Sequence, residues 1–455
     1  MVVSEIVNKD GKAYIEYKGR PYLMYGVQIR TDEAEEIAEN ESVLEQNFSK
    51  AAELGFRSVM LPLRWRSFET ENGIYNFKRL DSYIEWADKY DLDIHLLWFG
   101  SNVCGKQKSL PAFILGDTEK YKCIDGEYID LSNNALLIKE KAALGQILNR
   151  LYKNDLNRRT AVIQIENEPD YGSKWQNQYN DCLRYINELG MLVKKSRYSV
   201  VTRVNITANA ELKTNNVPED ILALDGIDAV GVDIYINETE FYNGWIEKLS
   251  TGEMLRNPVY IAEGGGQMEL LLRIIANAFS LGCGYLVYEL RTVRKNDYDF
   301  GVYRLSTDKW EYRDGTKLVQ HQWTQGELIP ENNTKQLILF NNAVNAVARQ
   351  IAVARPEDIY LTDNMCEIPT DCGKIRYETQ KNDPNSFGLL IKTGNGEYCF
   401  FTVAENSKLC FENKVTVFNG RYLEDKWVTT ENIPLNSGAF SPRPGEVYKI
   451  CGLRR

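Results

Sequence analysis

The segment TAVIQIENEPD (160–170) decides the fold of this chain. Its first six residues are almost entirely apolar, and they are followed at once by acidic and amide side chains. A short, nearly continuous apolar run is typical of a parallel strand that is covered on both faces. Polar residues at the carboxyl end of such a strand commonly face a ligand site. The segment therefore predicts an α/β protein with a functional residue near position 168.

Seven further segments have the same apolar character. They are PYLMYGVQI (21–29), RSVMLPL (57–63), LDIHLLWF (92–99), YSVVTRV (198–204), DAVGVDIY (228–235), PVYIAE (258–263) and GYLVYEL (284–290). Helical patterns lie between the strands, at 42–54, 78–90, 134–152, 176–195, 241–251 and 268–281. Eight strands that alternate with helices over about 280 residues predict a (β/α)₈ (TIM) barrel.

The last part of the chain has a different pattern. Residues 332–354 predict one helix, and short strands with the hairpin turns GNGE and FNGR follow it. We predict a catalytic barrel with a short N-terminal β lead-in over 1–330 and a connecting helix over 331–356. Residues 357–455 then form a small antiparallel β domain that resembles a sandwich.

The composition excludes several classes of protein. Hydrophobic residues make up 43% of the 455 residues, which is enough for a sizeable core and argues against disorder. The 54 basic and 64 acidic residues give a net charge of −10, so we expect no nucleic-acid partner. The sequence contains no long apolar run and no pattern of a signal peptide. We therefore expect a cytoplasmic protein with no membrane partner.

The histidine and cysteine content restricts the chemistry further. The chain has two histidines, His95 and His321, and nine cysteines without a CxxC pair. Such a chain predicts reduced thiols and neither a metal site nor a cofactor. His95 lies inside a strand and is expected to be a hydrogen-bonded core histidine. The sequence leaves open whether the protein is a homo-oligomer.

Two glutamates stand at strand ends on nearly opposite sides of the predicted barrel. Glu168 follows the fourth strand, and Glu263 closes the seventh in YIAEGGG. Paired carboxylates suit glycoside hydrolysis, in which one protonates the leaving oxygen and the other attacks the anomeric carbon. With 64 acidic residues in the chain, two unrelated surface glutamates are the plain alternative.

These residues also resemble a known group of enzymes. The Asn-Glu-Pro after strand four and the glutamate that closes strand seven resemble glycoside hydrolase clan A, the retaining (β/α)₈ glycosidases. The segments MLPLRWRSFETENGIYNFKRLDSYI (60–84), HLLWFGS (95–101) and QIENEPD (164–170) are most similar to its family 35 and 42 types, the β-galactosidase-like members. The resemblance covers roughly residues 15–300.

The resemblance implies roles for individual residues. Glu168 is the expected acid/base, Glu263 the expected nucleophile, and Asn167 the expected partner of the sugar 2-hydroxyl. The implied activity is a retaining β-glycosidase, most simply a β-galactosidase, acting on a glycoside or oligosaccharide. Exo action is favoured because the long 100–131 loop and the C-terminal domain can close one end of the cleft. The sequence departs from family 35 at Pro169, where that family usually has a tyrosine, and around strand seven.

Further strand-end residues are candidate sugar contacts. Aromatic faces cover the CH face of a pyranose, and amide and guanidinium groups bind its hydroxyls. The candidates are Gln28, Arg64, Trp65, Trp98, Glu166, Tyr235, Tyr288, Glu289 and Arg291. Tyr235 is also expected to donate its hydroxyl to Glu263. Each aromatic residue has the alternative of filling the barrel interior.

The same residues are compatible with other functions. Within clan A, a β-glucosidase or β-mannosidase is the second choice. A non-catalytic carbohydrate-binding barrel is a different class, and it predicts the loss of one of the two carboxylates. A metal-dependent lyase of the enolase type needs carboxylates on successive strand ends, whereas strand five ends in Arg203-Val204-Asn205.

Overall fold

A computed structural model gives the fold of the chain. It describes residues 2–9, 11–29, 41–104, 106–107, 109–124, 128–171, 177–208, 216–236, 238–251, 257–265, 268–290, 303–305, 328–330, 334–379 and 383–453.

Within the described residues, eight parallel strands close into a barrel in the order of the sequence. They are β1 (Tyr25–Gln28), β2 (Ser58–Arg64), β3 (Asp93–Val103), β4 (Thr160–Asn167), β5 (Val201–Thr207), β6 (Ala229–Ile234), β7 (Tyr260–Gly264) and β8 (Gly284–Val287). β8 pairs with β1, and β3 pairs with β4, so no edge is left open. This confirms the predicted (β/α)₈ fold class.

Helices cover the outside of the barrel. They span Glu41–Glu53, Lys78–Tyr90, Asn134–Asn154, Tyr179–Lys194, Val217–Leu222, Thr239–Leu249 and Met268–Ser280, with short helices at Trp65–Phe68 and Ala112–Leu115. Lys78–Tyr90 buries the face that its periodicity predicted, including Leu80 and Tyr83. The Asn133 side chain caps the next long helix by accepting from the backbone N–H groups of Ala135 and Leu136. None of the described helices is long and apolar enough to cross a membrane.

An N-terminal antiparallel sheet covers the amino-terminal end of the barrel. Its strands are Ser4–Lys9, Lys12–Tyr17 and Arg20–Tyr22. The Tyr22 hydroxyl lies 2.9 Å from Nε2 of His95, which is wholly buried in β3. Burial and the nearby Arg203 charge hold the pKa of His95 well below its usual range. His95 is therefore a neutral core residue far from the strand ends that carry the candidate site.

The described residues of the C-terminal part form an α-helix, a short 3-10 helix at Pro356–Asp358 and two antiparallel sheets. The helix spans Thr334–Val353. The larger sheet contains, in spatial order, Ile359–Asp363, Phe387–Gly394, Glu397–Thr402, Val447–Gly452, Val415–Leu423 and Lys426–Ile433; the smaller contains Cys366–Thr370, Gly373–Glu378, Lys408–Phe411 and Ala439–Phe440. Apolar residues of both sheets form a shared core. The helix and the GNGE hairpin fall where the sequence predicted them. The predicted turn at FNGR is wrong, because these residues lie inside the strand Val415–Leu423, where the register shift at Gly420 accommodates the glycine. That hairpin turns at Glu424 and Asp425 instead, and Glu424 has a positive φ of 57°. The division into separate domains stays a prediction.

Short antiparallel strand pairs occur in the connecting segments. They are Glu69–Glu71 with Ile74–Tyr75, Cys123–Ile124 with Tyr128–Ile129, and Tyr303–Leu305 with Leu328–Pro330. β3 is longer than predicted, since it runs on from Phe99 to Val103. The added residues extend the wall of the barrel at the end where β4 delivers Glu168.

Candidate active site

Glu168 and Glu263 lie at the carboxyl-terminal end of the barrel, called the barrel mouth below. Glu168 directly follows β4, and Glu263 is the fourth residue of β7. The charges of both glutamates act on Asp233 in β6 and on Tyr235 just after it. The structure thus brings the two candidate catalytic carboxyls together around the end of β6.

A phenol fixes the carboxylate of Glu263. The Tyr235 hydroxyl donates a hydrogen bond to Oε2 of Glu263, which is the contact expected from the sequence. Burial and the charge of Glu263 raise the pKa of Tyr235 well above its usual value, so the phenol keeps its proton and remains a donor. The edge of the Tyr288 ring packs against Tyr235 at 5.2 Å between ring centroids. A donor held in this way stabilises the ionised form of Glu263.

Glu168 has a different set of partners. Its backbone lies in the left-handed region with φ of 43°, a conformation that costs a bulky residue free energy and is held by its surroundings. Its backbone N–H donates to Oδ1 of Asn205 at 3.1 Å, and the thiol of Cys104 donates to its Oε2 at 3.1 Å. The strained turn therefore fixes where this carboxyl points.

An amide network links the ends of β4, β5 and β6. Nδ2 of Asn205 donates to Oδ1 of Asn167 at 3.1 Å and to Oδ2 of Asp233 at 2.8 Å. Nε2 of Gln164 also lies 3.3 Å from Oδ1 of Asn167. Asn167 is 7% exposed, so its side chain borders the mouth while the network orients it.

Three residues at the mouth were not predicted from the sequence as site residues, namely Asp233, Asn205 and Cys104. Asp233 is wholly buried, and burial, followed by the charges of Glu263 and Glu168, raises its pKa well above the usual range. A usable signal existed, because Asp233 and Asn205 are polar residues inside apolar strands, AVGVDI and VTRVNIT. Each strand places its polar side chain toward the same end as Glu168.

The structure does not bring Glu166 together with these residues. Its wholly buried carboxyl accepts hydrogen bonds from the backbone N–H groups of Gly100, Ser101 and Asn102 in β3, at 2.9 to 3.2 Å. Burial and the neighbouring Glu140 raise the pKa of Glu166 well above its usual range. The sequence favoured Glu166 as a sugar contact, and the structure contradicts this. Its side chain is instead buried against the backbone of β3 and Glu140.

Trp65 and Trp98 are corrected in the same way. Both are wholly buried, and their rings lie 6.4 Å apart. Nε1 of Trp98 donates to Glu140 at 2.8 Å, on the helix outside the barrel, and Nε1 of Trp65 donates to Glu69 at 2.8 Å. The two indoles take the alternative role of core packing and present no face to the mouth.

The remaining candidates lie at strand ends around the mouth. Gln28 ends β1 and is nearly buried, with no hydrogen-bond partner for its Oε1 among the described residues. Arg64 ends β2, and its guanidinium lies 5.8 Å from the centroid of the Phe99 ring. Tyr288 and Glu289 directly follow β8. Arg291 and the second histidine, His321, lie outside the described residues.

The carboxyls of the mouth do not form a metal-binding group. In the part of the chain that the structure describes, no three His, Cys, Asp or Glu side chains converge as metal ligands. The arrangement instead offers two carboxyls with separate environments, one beside a phenol and one beside a thiol and a third carboxyl. Such a pair can support general acid/base and nucleophilic chemistry.

Solved structures of other proteins share the barrel fold of this chain. The chain is similar in fold to solved glycoside hydrolases. An exo-beta-1,4-mannosidase from Opitutaceae bacterium strain TAV5 superposes with a TM-score of 0.51 and 12% identity, over 66% of this chain and 59% of that one. A family 39 glycoside hydrolase from Bacteroides cellulosilyticus WH2 superposes with a TM-score of 0.52 and 10% identity, over 97% of this chain and 85% of that one. At such identities the likeness is one of fold.

Sequence comparison adds one match. Residues 182–310 match the family model described as a domain of unknown function, DUF4978. No curated protein matches the chain in sequence. This chain spans 59% of the length of the mannosidase. The similarity therefore does not assign the activity of that protein to this chain.

Proposed function

We propose that the protein is a retaining glycoside hydrolase that cleaves β-linked sugars, with Glu263 as nucleophile and Glu168 as acid/base. The observation that carries this proposal is the pairing of Glu168 and Glu263 around Asp233 and Tyr235 at the barrel mouth. Their environments differ in the direction that the reaction needs. Glu263 accepts a phenolic hydrogen bond that favours its charged form, whereas Glu168 lies near the buried carboxyl of Asp233, and neighbouring carboxyls disfavour each other's ionisation.

In the first step, the Glu263 carboxylate attacks the anomeric carbon. The bond from carbon to the leaving oxygen breaks, and Glu168 gives its proton to that oxygen. The sugar is then held as an ester of Glu263. Tyr235 keeps the attacking carboxylate aimed, because its ring is itself packed against Tyr288.

In the second step, Glu168 removes a proton from water as the water attacks the same carbon. The ester bond breaks, Glu263 leaves as a carboxylate, and two inversions give net retention of the anomeric configuration. Asn167 lies within the amide network beside Glu168, so its side chain is placed to hydrogen-bond the sugar 2-hydroxyl.

The substrate is a β-glycoside cleaved from one end. The sequence resemblance to families 35 and 42 favours a β-galactoside, and the fold similarity to an exo-mannosidase makes a β-mannoside the second candidate. Gln28 and Arg64 are the side chains that we assign to recognition of sugar hydroxyls, since both end strands at the mouth. A β-glucoside differs from the β-galactoside in the configuration of the 4-hydroxyl and from the β-mannoside in that of the 2-hydroxyl.

A panel of nitrophenyl β- and α-glycosides tests the proposal. We expect cleavage of one or more β-glycosides and none of the α-anomers, and proton NMR of early product should show the β-anomer first. Activity should survive EDTA, because the mechanism uses no metal. Binding of sugars without cleavage of any glycoside would favour the non-catalytic carbohydrate-binding barrel and overturn the proposal.

A further inference from the structure

The barrel mouth holds a third carboxyl that the two-glutamate mechanism does not use. We propose that Asp233 is a positioning residue that shares one proton with Glu168. The shared proton keeps the acid/base residue protonated in the resting enzyme. This inference rests on the proposed function for its catalytic meaning. The shared proton itself is a property of the two side chains, and it can be measured without a substrate.

The contact between the two side chains requires a proton. Asp233 is wholly buried in β6, and its carboxyl lies close enough to that of Glu168 for the charge of one group to disfavour ionisation of the other. Ionised carboxylates only accept hydrogen bonds, so a bond between two of them exists only if one is protonated. Oδ1 of Asp233 has no N–H or O–H donor among the described residues. A proton placed between Oδ1 and the Glu168 carboxyl gives this buried oxygen a partner.

One amide fixes the geometry of the pair. Oδ1 of Asn205 accepts from the backbone N–H of Glu168 at 3.1 Å, while its Nδ2 donates to Oδ2 of Asp233 at 2.8 Å. The amide therefore holds the turn that carries Glu168 and orients Asp233 at the same time. Since Oδ2 already has a donor, the shared proton belongs on the Oδ1 side, which is the side left for Glu168.

The surrounding charges favour retention of the proton. Asp233 faces Glu263 on β7 in addition to Glu168, and Tyr235 and Tyr260 lie nearby as protonated phenols. On the Glu168 side, the neighbours are the Cys104 thiol and the buried Asp170. Three ionised carboxyls in one buried cluster repel one another, so the cluster keeps a proton, and its titration belongs to the coupled group.

The charge of the site stays constant through the reaction. At rest, Glu263 is ionised, and Asp233 and Glu168 together carry one proton. When Glu168 gives that proton to the leaving oxygen, both members of the pair become ionised, and Glu263 simultaneously loses its charge by forming the ester. Water returns the proton to the pair in the second step as the Glu263 ester bond breaks. Ionisation of Glu168 is thereby made favourable only when Glu263 is neutral.

The Asp233→Asn variant tests the inference. An amide can still accept from Asn205, but its N–H₂ group donates to Glu168 and favours the ionised carboxylate. We expect the basic limb of the kcat/KM profile to move to lower pH by about one unit, a tenfold change in the proton equilibrium. The loss of kcat should be large for a phenyl glycoside and small for a dinitrophenyl glycoside, whose leaving group needs no proton.

Asp93→Asn is the matched control. Asp93 is a partly buried carboxyl at the opposite end of the barrel, where it accepts a hydrogen bond from Tyr17, and desolvation raises its pKa to about 6. Its replacement should change thermal stability and leave the basic limb in place. A folded Asp233→Asn enzyme with an unmoved limb and an unchanged leaving-group dependence would show that Asp233 has only a structural role.

Infrared spectroscopy separates this inference from the proposed function. Difference spectra of wild type minus Asp233→Asn and of wild type minus Glu168→Gln should each show the same lost protonated-carboxyl band near neutral pH, whereas the bands of Glu166 and Asp170, whose pKa values are also raised, cancel. If the wild type cleaves no glycoside, the function fails while this band still tests the shared proton. If the wild type is active but neither difference spectrum shows the lost band, the inference fails and the function stands.

Discussion

The hydroxyl of Tyr235 donates a hydrogen bond to Oε2 of Glu263, across the gap between β6 and β7. The two strands are neighbours in the barrel, so the contact needs no flexible loop to form it. It gives one of the two glutamates at the mouth a fixed neutral donor, while the other glutamate meets a thiol and a second carboxyl. This asymmetry is the basis for assigning different chemical roles to residues of the same type.

Replacing Tyr235 by phenylalanine should slow the reaction and shift its acid limb. A hydrogen bond to a charged group contributes about 1.5–3 kcal/mol, so we expect kcat to fall roughly 10- to 100-fold. Loss of the donor disfavours the ionised nucleophile, so the acid limb should move to higher pH. Steady-state kinetics on a nitrophenyl glycoside measure both effects.

Tyr242→Phe serves as the control for this variant. The Tyr242 hydroxyl donates to backbone carbonyls of Ile234 and Gly265, away from the carboxyl of Glu263. Its loss should lower the melting temperature and leave the acid limb unchanged. An acid limb that does not move in Tyr235→Phe would remove the phenol from the mechanism.

Azide should distinguish the roles of Glu168 and Glu263. Alanine at either position should lower turnover by several orders of magnitude while the fold persists. In Glu263→Ala, azide can enter from the face vacated by the carboxylate and give an α-glycosyl azide. In Glu168→Ala, azide should attack the enzyme ester and give the β-glycosyl azide. Proton NMR of the products identifies the anomer, and the reverse pattern would exchange the two assignments.

Trp98→Phe should affect stability rather than substrate binding. The change leaves the buried Glu140 without the indole donor, at a cost of about 1–3 kcal/mol. KM should stay close to that of the wild type, because the ring does not reach the mouth. Gln28→Ala is the complementary variant, in which KM should rise with little loss in melting temperature. A rise in KM for Trp98→Phe at unchanged stability would return Trp98 to the sugar site.

The Glu140–Glu166 pair should make stability depend on pH. The folded state raises the pKa of Glu166, whereas the unfolded chain releases this proton near pH ~4.3. The folded state thus binds more protons above that pH, and its stability should decrease as pH rises toward the folded value. Thermal melts of Glu166→Gln should show a flatter profile over this range. The exposed Glu119→Gln should retain the wild-type slope, and parallel profiles for all three proteins would refute the raised pKa of Glu166.

Sequence reasoning succeeded for features that depend on regular strands. The apolar runs fixed the order of the barrel strands, and the strand ends placed Glu168 and Glu263 at one mouth. Glu166 was expected on the same face as Glu168, because residues two apart on a regular strand share a face. This reasoning failed because β4 is irregular at Glu166, where φ is 61° and the pairing with β3 shifts register. That local irregularity turns the carboxyl away from Glu168. Asp233 was missed because its strand was interpreted only by its apolar character.

The ring of Phe340, in the helix Thr334–Val353, touches both halves of the molecule. It stacks on Phe279 of a barrel helix at 6.3 Å, and it contacts Phe387 and Phe401 of the larger C-terminal sheet at 6.2 and 5.9 Å. Heat should therefore melt the chain in one cooperative calorimetric transition. A barrel expressed without the final hundred or so residues would carry an uncovered aromatic face and aggregate. Engineering of the barrel mouth accordingly has to begin from a chain that keeps the C-terminal sheets.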